Sequence, residues 1–349
     1  MNSDLAVTAD ETRAKTRATA RCEAPHADIN RREFLRQSAS VGAGLALTAA
    51  SASAVASSDD PLPMRVLGKT NEKVTILGLG TAPVGEGPVG VQEAIKIFGE
   101  VIDRGVNYVD TARGYGNAEE ALGYLLPKRR DRLFVVTKTW TDSAAEAEKS
   151  LSESLRRLKI DHVDLCHIHH IGGKDINKVL AKDGVFDYLL KQKEVGKIRF
   201  LGLSGHARPP RFVQMLETDQ IDVVMCVMNY ADRNIYGFEH KVLPECRKRN
   251  VGVAAMKVYA GIKGGFPNHR RGHVGCATEP SRLPQALAYA LDLEGVSVAV
   301  VGPYTLEQAV QNVEFARAYS PLSTEDRASL LAYGQQLAPK LGPRYGPLS

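Results

Sequence analysis

Asn107-Tyr108-Val109-Asp110-Thr111-Ala112-Arg113-Gly114-Tyr115-Gly116-Asn117-Ala118-Glu119-Glu120-Ala121-Leu122-Gly123 reads as the end of a strand, a tight loop with a glycine on each side of Tyr115, and the start of a helix. The residues before Asp110 favour strand, the glycines let the chain turn, and Ala118 to Leu126 has helix-forming composition. A carboxylate and a phenol therefore stand together at a strand's carboxyl end. In parallel α/β proteins catalytic groups collect there, because the loops are free to vary while the sheet holds them rigidly. Taken alone, the stretch is equally that of a structural Asp capping a loop with a Tyr packed on it.

Two later runs add chemistry. Leu133-Phe134-Val135-Val136-Thr137-Lys138 is apolar and ends in a lysine, and His162-Val163-Asp164-Leu165-Cys166-His167-Ile168-His169-His170 ends in histidines. If all three runs are neighbouring parallel strands, Asp110, Tyr115, Lys138 and His169 converge at one rim. A phenol titrating near 10 is a weak acid at neutral pH; an adjacent ammonium stabilises its phenolate, and a carboxylate keeps that ammonium charged and oriented. A neighbouring imidazole orients a carbonyl or shares the proton.

Outward from these runs the strand and helix patterns alternate. Strand-like runs recur at Ile76–Gly80, Asn107–Thr111, Leu133–Lys138, Val163–His169, Ile198–Ser204, Asp222–Asn229, Val251–Lys257 and Val296–Val301. Helical patterns lie between them, such as Val91–Arg104 and Ala144–Leu158, where Leu151, Leu155 and Leu158 share one face and Lys149, Glu153 and Arg156 do not. Eight uninterrupted strand–helix units predict a (β/α)8 TIM barrel. Arg65–Lys69 and Lys73–Thr75, joined through Asn71, read as a small hairpin ahead of it.

The motifs together resemble the aldo-keto reductase superfamily. Asp110, Ala112, Tyr115, Gly116 and Glu119 match its D-x-A-x-x-Y-G-x-x-E signature, Lys138 closes the matching V-x-T-K strand, and Asp164 to His169 matches D-L-x-x-I-H. The resemblance runs from about Arg65 to about Leu331 with the motifs in the family's order. It implies a barrel closed at the bottom by the hairpin, and reversible reduction of an aldehyde or ketone by hydride transfer from a nicotinamide nucleotide. It also implies roles: Tyr115 as proton donor, Lys138 lowering its pKa, Asp110 pairing with Lys138, and His169 orienting the carbonyl.

Cofactor contacts follow from the same resemblance. Ser204, in Gly202-Leu203-Ser204-Gly205, takes the place of a serine that contacts the nicotinamide amide, although Gly205 replaces the usual asparagine. Asn229 matches an asparagine of some relatives, and Met256, beside Lys257, stands where a stacking tyrosine is usual. Met225 and Met256 read equally well as barrel filling. Gly302 to Asn312, with Thr305 and Gln308 between, resembles the segment that clasps the adenosine phosphate end, a helix start facing an anion. The resemblance implies NADP(H) as the expected cofactor, but Gln308 stands where an arginine often grips the 2′-phosphate and Gly302 where a lysine sometimes does, which leaves NAD(H) open. The departures at Gly205, Met225 and Met256 also leave an alternative of another class, a nucleotide-binding regulatory module with little turnover. Bound nucleotide without hydride transfer to any carbonyl would mark it.

The remaining features bound the answer. Of 349 residues, 44% are hydrophobic and 24% charged, ordinary for a protein with a full-sized core. Asn30-Arg31-Arg32-Glu33-Phe34-Leu35-Arg36, a mild apolar stretch over Val41–Ala50 and the small residues Ala52–Ala56 resemble a twin-arginine export signal. The apolar stretch is well short of the roughly 20 residues a membrane span needs. The expected organisation is a signal peptide over residues 1–56, a linker over Ser57–Pro63 and one barrel from 64 to 349. Localisation is then exported, periplasmic or extracellular, with the Tat export machinery as a partner and no stable membrane insertion after cleavage. The mature chain keeps 38 Lys plus Arg against 34 Asp plus Glu, too balanced to argue for nucleic acid. A small-molecule carbonyl or alcohol is the expected substrate. Cys166, Cys226, Cys246 and Cys276 show no C-x-x-C spacing, and Cys166 and Cys226 read as buried free thiols. Strand alternation puts His167 on the face of His169 and His170 on the other, so no metal site is expected. Lys263–Arg282, rich in basic residues, glycine and proline, reads as a surface loop, a phosphate clamp or a substrate lid.

Overall fold

The computed structural model describes residues 60–263, 272 and 275–349. The expected signal peptide and the first linker residues lie outside the described residues, as do 264–271, 273 and 274 of the basic loop. Strands β1 (Met64–Val66) and β2 (Lys73–Thr75) pair antiparallel. Eight more follow: β3 (Leu77–Gly80), β4 (Tyr108–Asp110), β5 (Phe134–Thr139), β6 (Val163–Ile168), β7 (Ile198–Gly205), β8 (Val223–Val227), β9 (Gly252–Met256) and β10 (Val296–Val301). They close in the order β10-β3-β4-β5-β6-β7-β8-β9, every pair parallel, with helices on the crossovers. This is the (β/α)8 barrel, in which each strand is buried on both faces and so reads as an apolar run rather than an alternation.

The hairpin is shorter than the sequence pattern, because Gly68–Thr70 coils into a 3-10 turn that ends at Asn71 in the left-handed region. Gly68 is itself left-handed, at φ 51°, and a side chain there would collide with the backbone of Gly252 at the start of β9. Leu67, fully buried, packs on Gly252, so the hairpin plugs the bottom of the barrel. Arg65 ties it in place by donating to the carbonyls of Leu291 (2.6 Å) and Val296 (2.8 Å). Just before the hairpin, Leu62 lies in the core and the Pro63 carbonyl accepts from Ile76 N at 2.9 Å.

Inside the lower barrel, Tyr108 stacks on Phe134 (centroids 5.5 Å apart) and Phe134 on Phe200 (6.1 Å). Outside, helix Ala144–Leu158 buries Leu151, Ser154 and Leu158 and leaves Leu155 at the edge. Its Ser143 cap accepts from Glu146 N, and Lys159 ends it in a left-handed turn. Cys166 and Cys226 are buried free thiols, and burial pushes Cys166 up to about 12. Among the described residues no helix is long and apolar enough to cross a membrane, and no cluster of His, Cys, Asp and Glu is placed to hold a metal ion.

Candidate active site

The carboxyl ends of the strands open into a cavity of about 1200 Å³. Asp110 ends β4, Lys138 lies near the end of β5, and His169 follows β6, its backbone N–H donating to the Thr139 carbonyl at 2.9 Å. All three line the cavity together with Tyr115. The loop carrying Tyr115 is fixed by close backbone packing. Gly116 sits at φ 50°, and a side chain there would overlap the Gly85 carbonyl, which itself accepts from Asn117 N at 3.1 Å. Only glycine fits such a left-handed, crowded position. Helix Ala82–Glu86 thus buttresses the phenol.

Lys138 Nζ donates to Asp110 Oδ1 and Oδ2, both at 2.7 Å, and to the Thr111 carbonyl at 2.8 Å. Both charged side chains are about 2% exposed as residues. Burial raises the Asp110 pKa and lowers that of Lys138, and each is opposed by the other's charge. Short charge-assisted bonds on all three ammonium protons keep such a pair ionised. No N–H remains for the phenol. Lys138 instead lies 4.7 Å from the centre of the Tyr115 ring, a cation–π contact. The lowering of the Tyr115 pKa expected from Lys138 therefore does not appear in this arrangement. Although part of the ring is exposed to the cavity, loss of water, then Asp110 and Glu86, push the phenol well above 10.

His169 stands edge-on to Tyr115, centroids 5.9 Å apart. Burial, and after it the Lys138 charge, hold its imidazole well below the ordinary value, so it is neutral. A neutral imidazole can donate to a carbonyl oxygen without competing for the proton. Trp140, which sequence reasoning passed over although it lies only two residues beyond Lys138, stands steeply inclined to the His169 ring, centroids 4.6 Å apart. Its face lies on His170 at 5.1 Å and 10°. His170 was expected on the opposite face. Strand alternation stops at Ile168, however, and the left-handed φ of 60° at His170 turns its ring into the cavity.

The cofactor-side residues divide. Met225, Met256, Lys257, Gly302, Gln308 and Asn312 line the cavity. Ser204 pairs in register with Met225 and so shares its face of the sheet; its Oγ is buried and has no hydrogen-bond partner. A buried hydroxyl left in that state fits an arriving amide. Thr305 caps helix Leu306–Arg317, accepting from Gln308 N at 3.2 Å, and leaves a helix start facing the cavity. The residues present thus fit a nicotinamide nucleotide. Asn229 has a different job. Its amide donates to Asp232 Oδ2 (2.7 Å) and the Lys257 carbonyl (2.9 Å), and accepts from the N–H groups of Ala231 and Asp232. With its amide so engaged and off the cavity wall, it pins the left-handed turn at Lys257 rather than reaching a ligand.

Four contributors had no motif to reveal them. His206 follows β7, Glu86 ends the buttress helix, and Arg344 with Tyr345 arrives from the carboxyl-terminal segment. Of the basic loop, Lys263, Gly275, Cys276, Thr278, Glu279 and Pro280 line the same cavity.

The aldo/keto reductase family model matches residues 76–273. L-galactose dehydrogenase of Arabidopsis thaliana is 28% identical over 283 residues, 72% of this chain and 87% of that protein. Methylglyoxal reductase YeaE of Escherichia coli is 26% identical over 246 residues, 68% of this chain and 83% of its own length. The solved structure of a candidate aldo-keto reductase from Pseudomonas aeruginosa superposes with a TM-score of 0.62 at 27% identity, covering 74% of this chain and 97% of that one. The family model covers more than half of the chain, and the barrel and strand-end constellation agree with it: this protein is a member of the aldo/keto reductase family, an NAD(P)-dependent oxidoreductase that interconverts carbonyl compounds and alcohols.

Proposed function

We propose that the protein reduces the carbonyl of a small polyhydroxylated compound, a sugar or its oxidised derivative, with Tyr115 as proton donor. The observation that carries this reading is the convergence of Tyr115, His169 and the Lys138–Asp110 pair on one cavity. A bound nicotinamide supplies the hydride. His169, neutral, donates to the carbonyl oxygen and orients it. Tyr115, protonated, gives its proton to that oxygen as the carbon accepts the hydride, and the product is the alcohol. Lys138, held by Asp110, balances the phenolate left behind across the face of its ring. Catalysis of this kind rests on positioning and charge rather than on a covalent intermediate.

The sugar assignment draws on the cavity wall. Trp140 is 62% exposed and offers an aromatic platform, and His170 and His206 add neutral donor and acceptor nitrogens beside it. Rings of this kind suit the apolar faces of sugars, while imidazoles suit their hydroxyls. The name of the Arabidopsis relative points to the same class. NADPH is the reductant we assign, with only a modest preference over NADH, since Gln308 at the adenosine end brings no charge. We also infer export: Arg31-Arg32 ahead of the apolar Val41–Ala50 stretch supports a twin-arginine route, which resembles one that moves folded proteins.

Purified mature protein assayed for nucleotide oxidation against hexoses, pentoses, methylglyoxal and simple aldehydes tests the substrate class, with hydroxylated compounds expected to lead. Tyr115→Phe should lose activity by about 10²–10⁴-fold while still binding nucleotide. Full activity in that variant refutes the proton-donor role. Arg31→Lys with Arg32→Lys should leave the protein in the cytoplasmic fraction. Unchanged export refutes the twin-arginine route.

A further inference from the structure

Arg113 stands two residues before Tyr115, on the loop between β4 and helix Ala118–Leu125, and lines the same cavity. It is half-buried, and among the described residues its guanidinium makes no hydrogen bond and no ion pair. The other cations of the wall are engaged. Asp110 holds Lys138 at 2.7 Å, both oxygens of Asp232 hold Arg344 at 2.9 and 2.7 Å, and Lys257 and Lys263 each have an interaction of their own. The wall's carboxylates are likewise engaged: Asp110 with Lys138, Glu279 with Arg282 at 4.0 Å, and Glu86 in an interaction of its own. Behind the loop, Glu119 is fully buried and accepts from the Thr137 hydroxyl at 3.0 Å. Burial above all raises its pKa, and Arg113 offsets only part of that from beyond ion-pair distance. In the closed ring of strands, β4 lies across from β8 and β5 from β9. Arg113 and Trp140 therefore come from the side opposite Met225, Met256 and Lys257, where the cofactor is expected.

We propose that Arg113 binds a carboxylate of the substrate, remote from the reacting carbonyl, and makes the enzyme prefer a sugar acid over the neutral sugar of the same chain length. The proposal rests on the sugar reading above and narrows it to members that carry a carboxylate. A half-buried charge without a partner has lost part of its water and gained nothing in return, so a ligand that pairs with it recovers that cost. The guanidinium fork matches the two oxygens of a carboxylate in parallel hydrogen bonds. A phosphate monoester carries nearly two charges and calls for more than the single uncommitted cation found here. At Gly114, between Arg113 and Tyr115, a side chain would meet no atom within 4 Å, so the wall leaves room for the carbon chain that joins carboxylate to carbonyl. A neutral hydroxymethyl group in the carboxylate's place leaves the guanidinium unpaired, which is the basis of the discrimination.

The test compares wild type, Arg113→Gln and Arg113→Lys on hexuronates, the matching aldohexoses, hexose 6-phosphates and propionaldehyde, with NADPH and NADH affinities measured separately by fluorescence quenching. Wild type should favour the best hexuronate over its parent hexose in kcat/KM by about tenfold or more, a result that needs no variant. In Arg113→Gln the KM for the hexuronate should rise by about ten- to hundredfold, the cost of a lost charge-assisted bond, while the KM for the hexose moves by less than about twofold. Arg113→Lys, which keeps the charge and loses the fork, should recover part of that loss. Unchanged hexose turnover and nucleotide affinities in the variants show that the cavity is intact. If wild type reduces hexoses at least as well as hexuronates, or Arg113→Gln slows both equally, Arg113 is not a carboxylate contact and the sugar reading stands. A preference for hexose 6-phosphates that Arg113→Gln abolishes overturns the carboxylate assignment, and a loss of NADPH affinity with NADH unchanged assigns Arg113 to the nucleotide instead. If wild type reduces propionaldehyde and no hydroxylated compound, charged or neutral, the sugar reading fails and this inference fails with it.

Discussion

Lys138 meets Tyr115 across the face of its ring, 4.7 Å from the centroid, rather than at its hydroxyl. The ammonium's three N–H bonds are already taken by Asp110 and the Thr111 carbonyl. Burial first, then Asp110 and Glu86, hold the phenol well above its ordinary value. The sign of the consequence is fixed. Reduction needs the protonated phenol, which is lost only as pH rises through the raised pKa, whereas alcohol oxidation needs the phenolate and gains over the same range. We expect kcat/KM for reduction to stay level across neutral pH, with its alkaline limb above about 10, and kcat/KM for oxidation to climb toward that limb. A reduction limb near pH 8 that vanishes in Tyr115→Phe would contradict this arrangement.

Removing one member of the buried pair should cost more than removing both. Lys138→Met strands the Asp110 carboxylate in a site 2% exposed, at a cost of about 3–5 kcal/mol, and Asp110→Asn strands the ammonium. The double variant Asp110→Asn, Lys138→Met buries no charge, so urea unfolding should place it above Lys138→Met in stability, although it is equally inactive. Additive losses would mean that the two charges are not compensating each other.

That Asp110, Tyr115, Lys138 and His169 would meet on one cavity was legible because each is a chemically unusual residue at or just beyond the end of an apolar run, and a barrel brings such ends to one rim. The eight strands were legible for the same reason: burial on both faces makes each an uninterrupted apolar segment. What escaped depends on local backbone or on contacts between distant segments. His170 changes face through one left-handed residue, which histidine composition does not announce. Asn229 looks like a ligand-binding amide until the Lys257 turn that uses it is placed beside it. Tyr345 reaches the cavity 139 positions after His206 through a strap held by Asp232 and Tyr236, and no spacing in the chain foretells that meeting.

At the expected adenosine end, Gln308 Oε1 accepts from Tyr304 N at 2.9 Å and organises the start of helix Leu306–Arg317. It carries no charge toward a 2′-phosphate. Wild type should therefore favour NADPH over NADH by less than about tenfold, and Gln308→Arg should raise that preference about tenfold or more through a bidentate guanidinium–phosphate contact. Nucleotide titrations of both proteins decide it. A large NADPH preference in wild type would mean that another cation grips the phosphate.

His167 and Gly202 pair in register on β6 and β7, and a Cβ at 202 would overlap the His167 ring while lying 2.8 Å from the Val223 carbonyl. With a fixed backbone on one side and the imidazole on the other, Gly202→Ala should destabilise by about 1–3 kcal/mol, the usual cost of overpacking. The imidazole itself is fully buried with neither ring nitrogen in a well-formed hydrogen bond, and burial, then Lys138, hold its pKa well below 6.5. Such a group is neutral when folded and protonates when unfolded. Its contribution is therefore retained above the unfolded value near 6.5 and lost as pH falls below it, at up to about 1.4 kcal/mol per pH unit. His167→Leu keeps a similar volume, removes two unpaired polar atoms and ends that loss. We expect it to be at least as stable as wild type at pH 7.5, with its advantage widening at pH 5 in urea unfolding. Equal pH slopes for the two proteins would mean that His167 finds a proton-binding partner inside the barrel.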